Sequence, residues 1–195
     1  MQAPTYVEPR DSISHDWITL LDSWGWKPLL VPNVIEDGPA YLDALTPDVL
    51  ILTGGDDLGQ TPVRDRAERR LLAHALRTGL PVFGACRGLQ LINDHFGGRL
   101  APVSGHVAAQ HAVTFSGPPA EVYRMRRTVN SFHAVGVPSD GLGEGLEPFA
   151  HDENGWVEGI RLPERALAAV MWHPERTGAP EGDRAMIAAV AASKT

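Results

Sequence analysis

Apolar positions along the chain fall into two kinds of run. Ile13, Trp17, Leu20, Leu21 and Trp24 recur at helical spacing, with Gly25 as a stop, and predict a helix over 13–24. A short apolar run at 28–31 reads as a strand, and a weaker helix covers about 40–45. Val49-Leu50-Ile51-Leu52 is unbroken and ends at Gly54-Gly55, the pattern of a strand buried on both faces, as in a parallel sheet. Over 66–78 the residues Leu71, Leu72, Ala75 and Leu76 share one helical face, and Gly79 ends it. A short strand at 81–83 and a helix at 88–96, stopped by Gly97-Gly98, follow. This alternation predicts a three-layer α/β arrangement with right-handed crossovers.

The second half changes character. Segments 111–115, 148–151, 157–162 and 167–172 read as strands, Glu153-Asn154-Gly155 as a hairpin turn, and 182–192 as a final helix. No repeat or linker interrupts the chain, so residues 1–195 are expected to form one domain, a mostly parallel sheet with a small antiparallel addition.

Charge and cysteine content narrow the partners. A net charge of -7 disfavours a nonspecific grip on nucleic acid or an anionic membrane. The single cysteine, Cys86, permits no internal disulfide and no cysteine-based zinc site, and neither metal nor cofactor is expected. The start, MQAPTYVEPRDS, lacks the basic-then-apolar pattern of a signal peptide, and no apolar run approaches the ~20 residues of a membrane span, so a cytoplasmic protein is expected.

Cys86 carries the chemistry. It stands in GACRGLQ between a predicted strand and a predicted helix, with Gly84 and Gly88 two residues to either side. That is the geometry of a nucleophile elbow with cysteine in place of serine. The helix start beyond it should favour the thiolate. A thiol nucleophile needs a base, and the base an orienting carboxylate. His173 and Glu175 stand in MWHPER after a strand, and in extended chain residues two apart project to the same side. An oxyanion site needs two backbone donors, each worth about 3 kcal/mol. The amide of Arg87 is one candidate, and the Gly54-Gly55 turn supplies the other.

LTGGDD, PVFGACRGLQ and VMWHPER, in this order, resemble the class I glutamine amidotransferase-like superfamily over roughly 49–176. VNSFH is similar to the γ-glutamyl hydrolase branch. RDSISHDWITLLDSWGWKPLLVPN, LTGGDDL and MWHPER are similar to the γ-glutamyl-CDP-amidate hydrolases, which act in making the phosphoramidate decoration of bacterial capsules.

The resemblance implies a flavodoxin-like α/β/α fold and hydrolysis of a γ-glutamyl amide without a cofactor. In it Cys86 is the nucleophile, His173 the general base and acid, and Glu175 the orienting carboxylate. Gly55 and Arg87 supply oxyanion amides. Gly54 and Gln90 contact the glutamyl group, and Asn130 and Ser131 line the same pocket. His133 is either a further pocket residue or a satisfied structural histidine. The other histidines read as surface or core polar groups.

A nucleotide leaving group would need cations, for which Arg10, Arg87 and Arg176 are candidates, unless each forms an ordinary ion pair. The arginine-rich stretch 64–70 reads as a solvated face. Two departures from the pattern stand out. Only Thr5-Tyr6-Val7 remains of a first strand, and VNSFHAVGV lacks the second histidine of many γ-glutamyl-γ-aminobutyrate hydrolases. Three alternatives stay open: a glutaminase subunit feeding ammonia to a partner synthetase, a γ-glutamyl-γ-aminobutyrate-type hydrolase, and a non-catalytic binding module.

Overall fold

Local capping sets the first elements. In a computed structural model that describes residues 8–179 and 181–193, α1 (His15–Ser23) starts where the Ser14 hydroxyl accepts from the Asp16 amide. Similarly, α2 (Gly38–Leu45) starts where Asp37 accepts from the Ala40 amide. The expected strand at Thr5-Tyr6-Val7 lies outside the described residues. The run 28–31 does not form a strand. Proline flanks it at Pro28 and Pro32, which removes ladder donors, and Leu29 and Leu30 stay exposed.

The βα alternation follows. β1 (Leu50–Leu52) leads to α3 (Pro62–Thr78), then β2 (Val82–Ala85) and α4 (Arg87–His95). α3 starts four residues before the expected position 66, with Pro62 in its first turn, and Gly79 caps its end at φ 74°. Beyond these come β3 (Ala101–Pro102), β4 (Ala109–Phe115), α5 (Pro119–Tyr123), β5 (Arg126–Ser131) and β6 (Val135–Gly136). The chain closes with β7 (Glu147–Asp152), β8 (Val157–Leu162), β9 (Leu167–Val170) and α6 (Asp183–Ala192).

Among the described residues one seven-stranded sheet runs β1-β2-β9-β8-β7-β4-β5. β1, β2 and β9 are parallel neighbours, and from β9 onward every pairing is antiparallel. The antiparallel part is thus continuous with the central sheet through the β9–β8 pair. The short β3–β6 ribbon is separate. At the β7–β8 turn Asp152 accepts from the Asn154 and Trp156 amides, and Gly155 takes φ 85°.

Side chains of the central strands alternate between two cores. Val82, Leu167 and Ala169 join Leu42, Leu71, Leu72 and Ile92 on one face. Phe83, Ala168 and Val170 join Trp17, Leu21, Ile187 and Val190 on the other. The sheet is therefore covered by helices on both sides, which is why its middle strands read as continuous apolar runs. Among the described residues no helix is long and apolar enough to cross a membrane.

Candidate active site

Cys86 sits at the sharp turn between β2 and α4 with φ 51° and ψ -105°, a backbone conformation that costs a non-glycine residue energy. The surrounding packing holds it there. Its amide donates to the Val170 carbonyl at 2.8 Å, which links the turn to β9. A side chain at Gly88 would strike the Leu52 carbonyl at 2.2 Å, so α4 can approach β1 only with glycine there.

The thiol does not have the depressed pKa expected from the helix start. Burial pushes it up to about 12, against the lowering effects of the Arg87 amide hydrogen bond and the Arg176 charge, while Glu175 and Glu158 push it further up. Desolvation here outweighs the helix terminus.

His173 lies three residues beyond β9. Its Nδ1 is 2.8 Å from Glu175 Oε1, and both side chains are almost wholly buried. The route differs from the expected extended chain. The Arg176 amide donates to the His173 carbonyl at 3.1 Å, so residues 173–176 form a turn with Pro174 at its second position. Proline fixes φ for that turn, and the turn brings Glu175 back to the ring. Gly54 packs against the other side of the imidazole, where an added Cβ would lie 2.6 Å from His173 Cε1. The turn after β1 therefore borders this histidine, and Gly55 lies next to it beside the Arg64 guanidinium.

Asn130 is buried against the backbone of His173. Its side-chain amide accepts from the His173 amide at 2.8 Å and donates to the His173 carbonyl at 2.9 Å, with longer contacts to the Arg176 and Thr177 carbonyls. Ser131 is fully buried and donates to the His106 carbonyl at 2.7 Å. Gln90 donates to the Val135 carbonyl at 2.8 Å, and His133 Nδ1 bonds the same carbonyl at 3.0 Å. Burial, and His106 next after it, lower the His133 pKa to about 3.

The arginines divide sharply. The Arg87 guanidinium is buried and paired with Asp65 and Glu68 of α3, so it cannot serve a phosphate. The stretch 64–70 is a solvated face only in part: Arg66 and Arg70 are exposed, but Asp65 and Glu68 are buried, and Arg64 bonds Glu68 at 2.7 Å and the Thr53 carbonyl at 3.0 Å. Arg10 is exposed and pairs with Glu8. Of the candidate cations, Arg176 borders the site, stacked over the Phe132 ring at 4.4 Å and 3.8 Å from Glu175 Oε1.

Sequence reasoning missed three groups. Phe132 stands edge-on to His173 at 5.6 Å, a neighbour hidden within the VNSFH motif. Buried Asp183 accepts from Tyr123 Oη at 2.8 Å and Trp172 Nε1 at 3.0 Å, fixing the residue before His173. Burial raises its carboxyl to about 7 and the Tyr123 phenol well above its usual range. His106, His111 and His133 gather around Glu158 rather than scattering as isolated polar groups. Burial, with Asp152 nearby, holds the Glu158 carboxyl well above the usual range.

A family model described as Peptidase C26 matches residues 2–175. A glutamine amidotransferase-like protein of Lactococcus lactis is 34% identical over 206 aligned residues, covering 90% of this chain and 86% of that protein. The γ-glutamyl-CDP-amidate hydrolase of Campylobacter jejuni is 28% identical over 179 residues, covering 88% of this chain and 84% of that enzyme. Among solved structures, a Thermoplasma acidophilum protein described as one component of a GMP synthase superposes with a TM-score of 0.78 at 20% identity, over 96% of this chain and 92% of the other. At that identity the likeness speaks for the fold, which is that of the class I glutamine amidotransferase domains.

Proposed function

The chain belongs to the Peptidase C26 family, a class I glutamine amidotransferase-like group, and we propose that it is a cysteine-dependent hydrolase that cuts γ-glutamyl amide bonds and releases glutamate. One observation carries this reading. β2 and β9 are hydrogen-bonded parallel neighbours, and their carboxyl ends lead to the strained Cys86 and to the His173–Glu175 pair. Open α/β sheets bind ligands at this edge.

The chemistry is acyl transfer to water. Because burial keeps the resting thiol protonated, Cys86 gives its proton to His173 as sulfur attacks the γ-carbonyl. Glu175 holds the ring and offsets the charge it gains. The amides of Gly55 and Arg87 stabilise the oxyanion, and the buried ion pairs of the Arg87 side chain hold that amide in position. His173 protonates the departing nitrogen, then takes a proton from water as it attacks the γ-glutamyl thioester. Gly54 and Gln90 border the glutamyl group, while Asn130, Ser131 and His133 support the wall behind it.

The substrate we favour is γ-glutamyl-CDP-amidate, by likeness to the Campylobacter enzyme. Partly exposed Arg176 is then the cation for the diphosphate. The deciding experiment is glutamate release by purified protein from glutamine, γ-glutamyl-γ-aminobutyrate, γ-glutamyl-CDP-amidate and folyl polyglutamate, with Cys86→Ser as control. Turnover of the nucleotide amidate by the chain alone supports this reading. Activity only after a synthetase is added would make the chain a glutaminase subunit, and no release under any condition would make it a binding module.

A further inference from the structure

Four side chains from four separate segments converge beside the site just described. His106 comes from the loop after β3, His111 from β4, His133 from the loop after β5, and Glu158 from β8. One ligand atom of each lies within 4.8 Å of all the others. Glu158 Oε1 is 3.7 Å from both His106 Nε2 and His133 Nε2, and Oε2 is 3.7 Å from His111 Nε2. These separations are too long for hydrogen bonds. The three Nε2 atoms and both carboxylate oxygens are buried without a hydrogen-bond partner.

The tautomers sharpen the point. His106 Nδ1 lies 3.0 Å from the Ser104 carbonyl and His133 Nδ1 lies 3.0 Å from the Val135 carbonyl. A carbonyl accepts only, so each Nδ1 carries hydrogen, and in the neutral ring each Nε2 presents a lone pair to the centre. Metal-binding histidines are oriented in this way by a second hydrogen bond to a carbonyl or carboxylate. Asp152 Oδ2 adds a second carboxylate 3.3 Å from His106 Nε2, itself held by the Asn154 and Trp156 amides through its other oxygen. Once Glu158 is ionised, acceptors face acceptors at this point, an arrangement that a bound cation satisfies.

We propose that His106, His111, His133 and Glu158 form a tetrahedral site for one divalent cation of the zinc type. Three imidazole nitrogens and one carboxylate oxygen suit a borderline-soft ion, and four protein ligands make a closed site of structural kind. Bonds of about 2.0–2.1 Å give tetrahedral edges of roughly 3.3 Å, so the 3.7 Å carboxylate–imidazole separations close by a few tenths of an ångström. The widest ligand pair, within 4.8 Å, closes by at most about 1.5 Å, a side-chain adjustment. His111, the most exposed of the four, gives the ion its way in. The ion ties two loops and β4 of the antiparallel half to β8. It also fixes the Val135 carbonyl, against which Gln90 is held, and so stiffens the wall behind Cys86. The proposal does not depend on which substrate is cut, or on whether any is.

The test is metal binding by the purified full chain, stripped with chelator and dialysed against Zn²⁺ or Co²⁺. Mass spectrometry of the metal should find one equivalent per chain, Co²⁺ should give the visible bands of a tetrahedral site, and Zn²⁺ should raise the melting temperature. His111→Ala and Glu158→Gln should each weaken binding about 100-fold or more, beyond the usual effect of losing a supporting group. In chelator His111→Ala should melt like the parent chain, which separates ligand loss from misfolding. Cys86→Ser should keep the metal. Failure of the parent chain to bind stoichiometric metal, binding unaltered in both ligand variants, or loss of metal in Cys86→Ser would each overturn the assignment.

Discussion

Asn130 and His173 exchange two hydrogen bonds, the side-chain amide of one closing on both backbone groups of the other at 2.8 and 2.9 Å. The residue proposed as general base is thus fixed through its main chain by β5, and through its ring by Glu175 and Gly54. Removing the clamp leaves a buried N–H and a buried carbonyl without these partners, at about 1–3 kcal/mol each. Asn130→Ala should therefore lose about 2–4 kcal/mol in urea unfolding. It should also lower kcat on the order of 10²-fold, with a smaller change in KM, because the base moves rather than the substrate contacts. Melting and kcat equal to the parent would remove Asn130 from any positioning role.

The raised thiol has its own signature. With Cys86 pushed up to about 12, alkylation of the free protein by iodoacetamide should be slow at neutral pH. It should climb about tenfold per pH unit between about pH 7 and 10, following the thiolate fraction. The unfolded chain, with a thiol near about 8.5, should level off above that pH. A plateau near pH 7 in the folded protein would mean a stable thiolate and contradict the burial argument.

The legible parts of the molecule were those set by neighbours in sequence. The elbow around Cys86 and the strand Val157–Leu162 depend on glycine spacing and local apolar pattern, and the structure has them where the sequence puts them. β5 is not legible in the sequence because Arg126-Arg127-Thr128 look like loop. Only pairing with β4 buries the end of that strand, so the strand exists by tertiary contact. The acids of α3 look solvated until the first residue of α4 places a buried guanidinium between them. The histidine cluster was equally invisible. Its members come from segments far apart in the chain, and only the antiparallel half of the sheet brings them to one point.

The pairing of Arg87 with Asp65 and Glu68 predicts an asymmetry between buried and exposed ion pairs. Taking one partner from a buried pair costs about 3–5 kcal/mol, because the remaining charge cannot reach water. Asp65 still faces Arg87 when Glu68 is altered, so Glu68→Gln should fall at the low end, about 3 kcal/mol by urea unfolding. It should also reduce kcat through the displaced Arg87 amide. Arg10→Ala, which breaks the exposed pair with Glu8, should change stability by less than about 0.5 kcal/mol. Equal effects at the two positions would show that the buried network is not holding the elbow.

Asp183 makes stability depend on pH in a defined direction. Burial raises its carboxyl from 3.8 to about 7, while the Tyr123 and Trp172 donors pull only partly against it. Between those values the folded chain keeps a proton that the unfolded chain has released. Folding therefore becomes less favourable as pH rises from about 4 to 7, by at most about 4 kcal/mol for a shift of that size. In metal-free protein buried Glu158 acts in the same sense, so the parent chain alone does not isolate the effect. Asp183→Asn does isolate it. The amide keeps Oδ1 as acceptor for Tyr123 and Trp172 but cannot ionise. Measured by urea unfolding, the stability difference between variant and parent should be small near pH 4. It should grow in favour of the variant to about 2–4 kcal/mol by pH 8. A difference that stays constant across that range would mean that Asp183 titrates alike in the folded and unfolded chains, and its place between Tyr123 and Trp172 would then be a matter of packing alone.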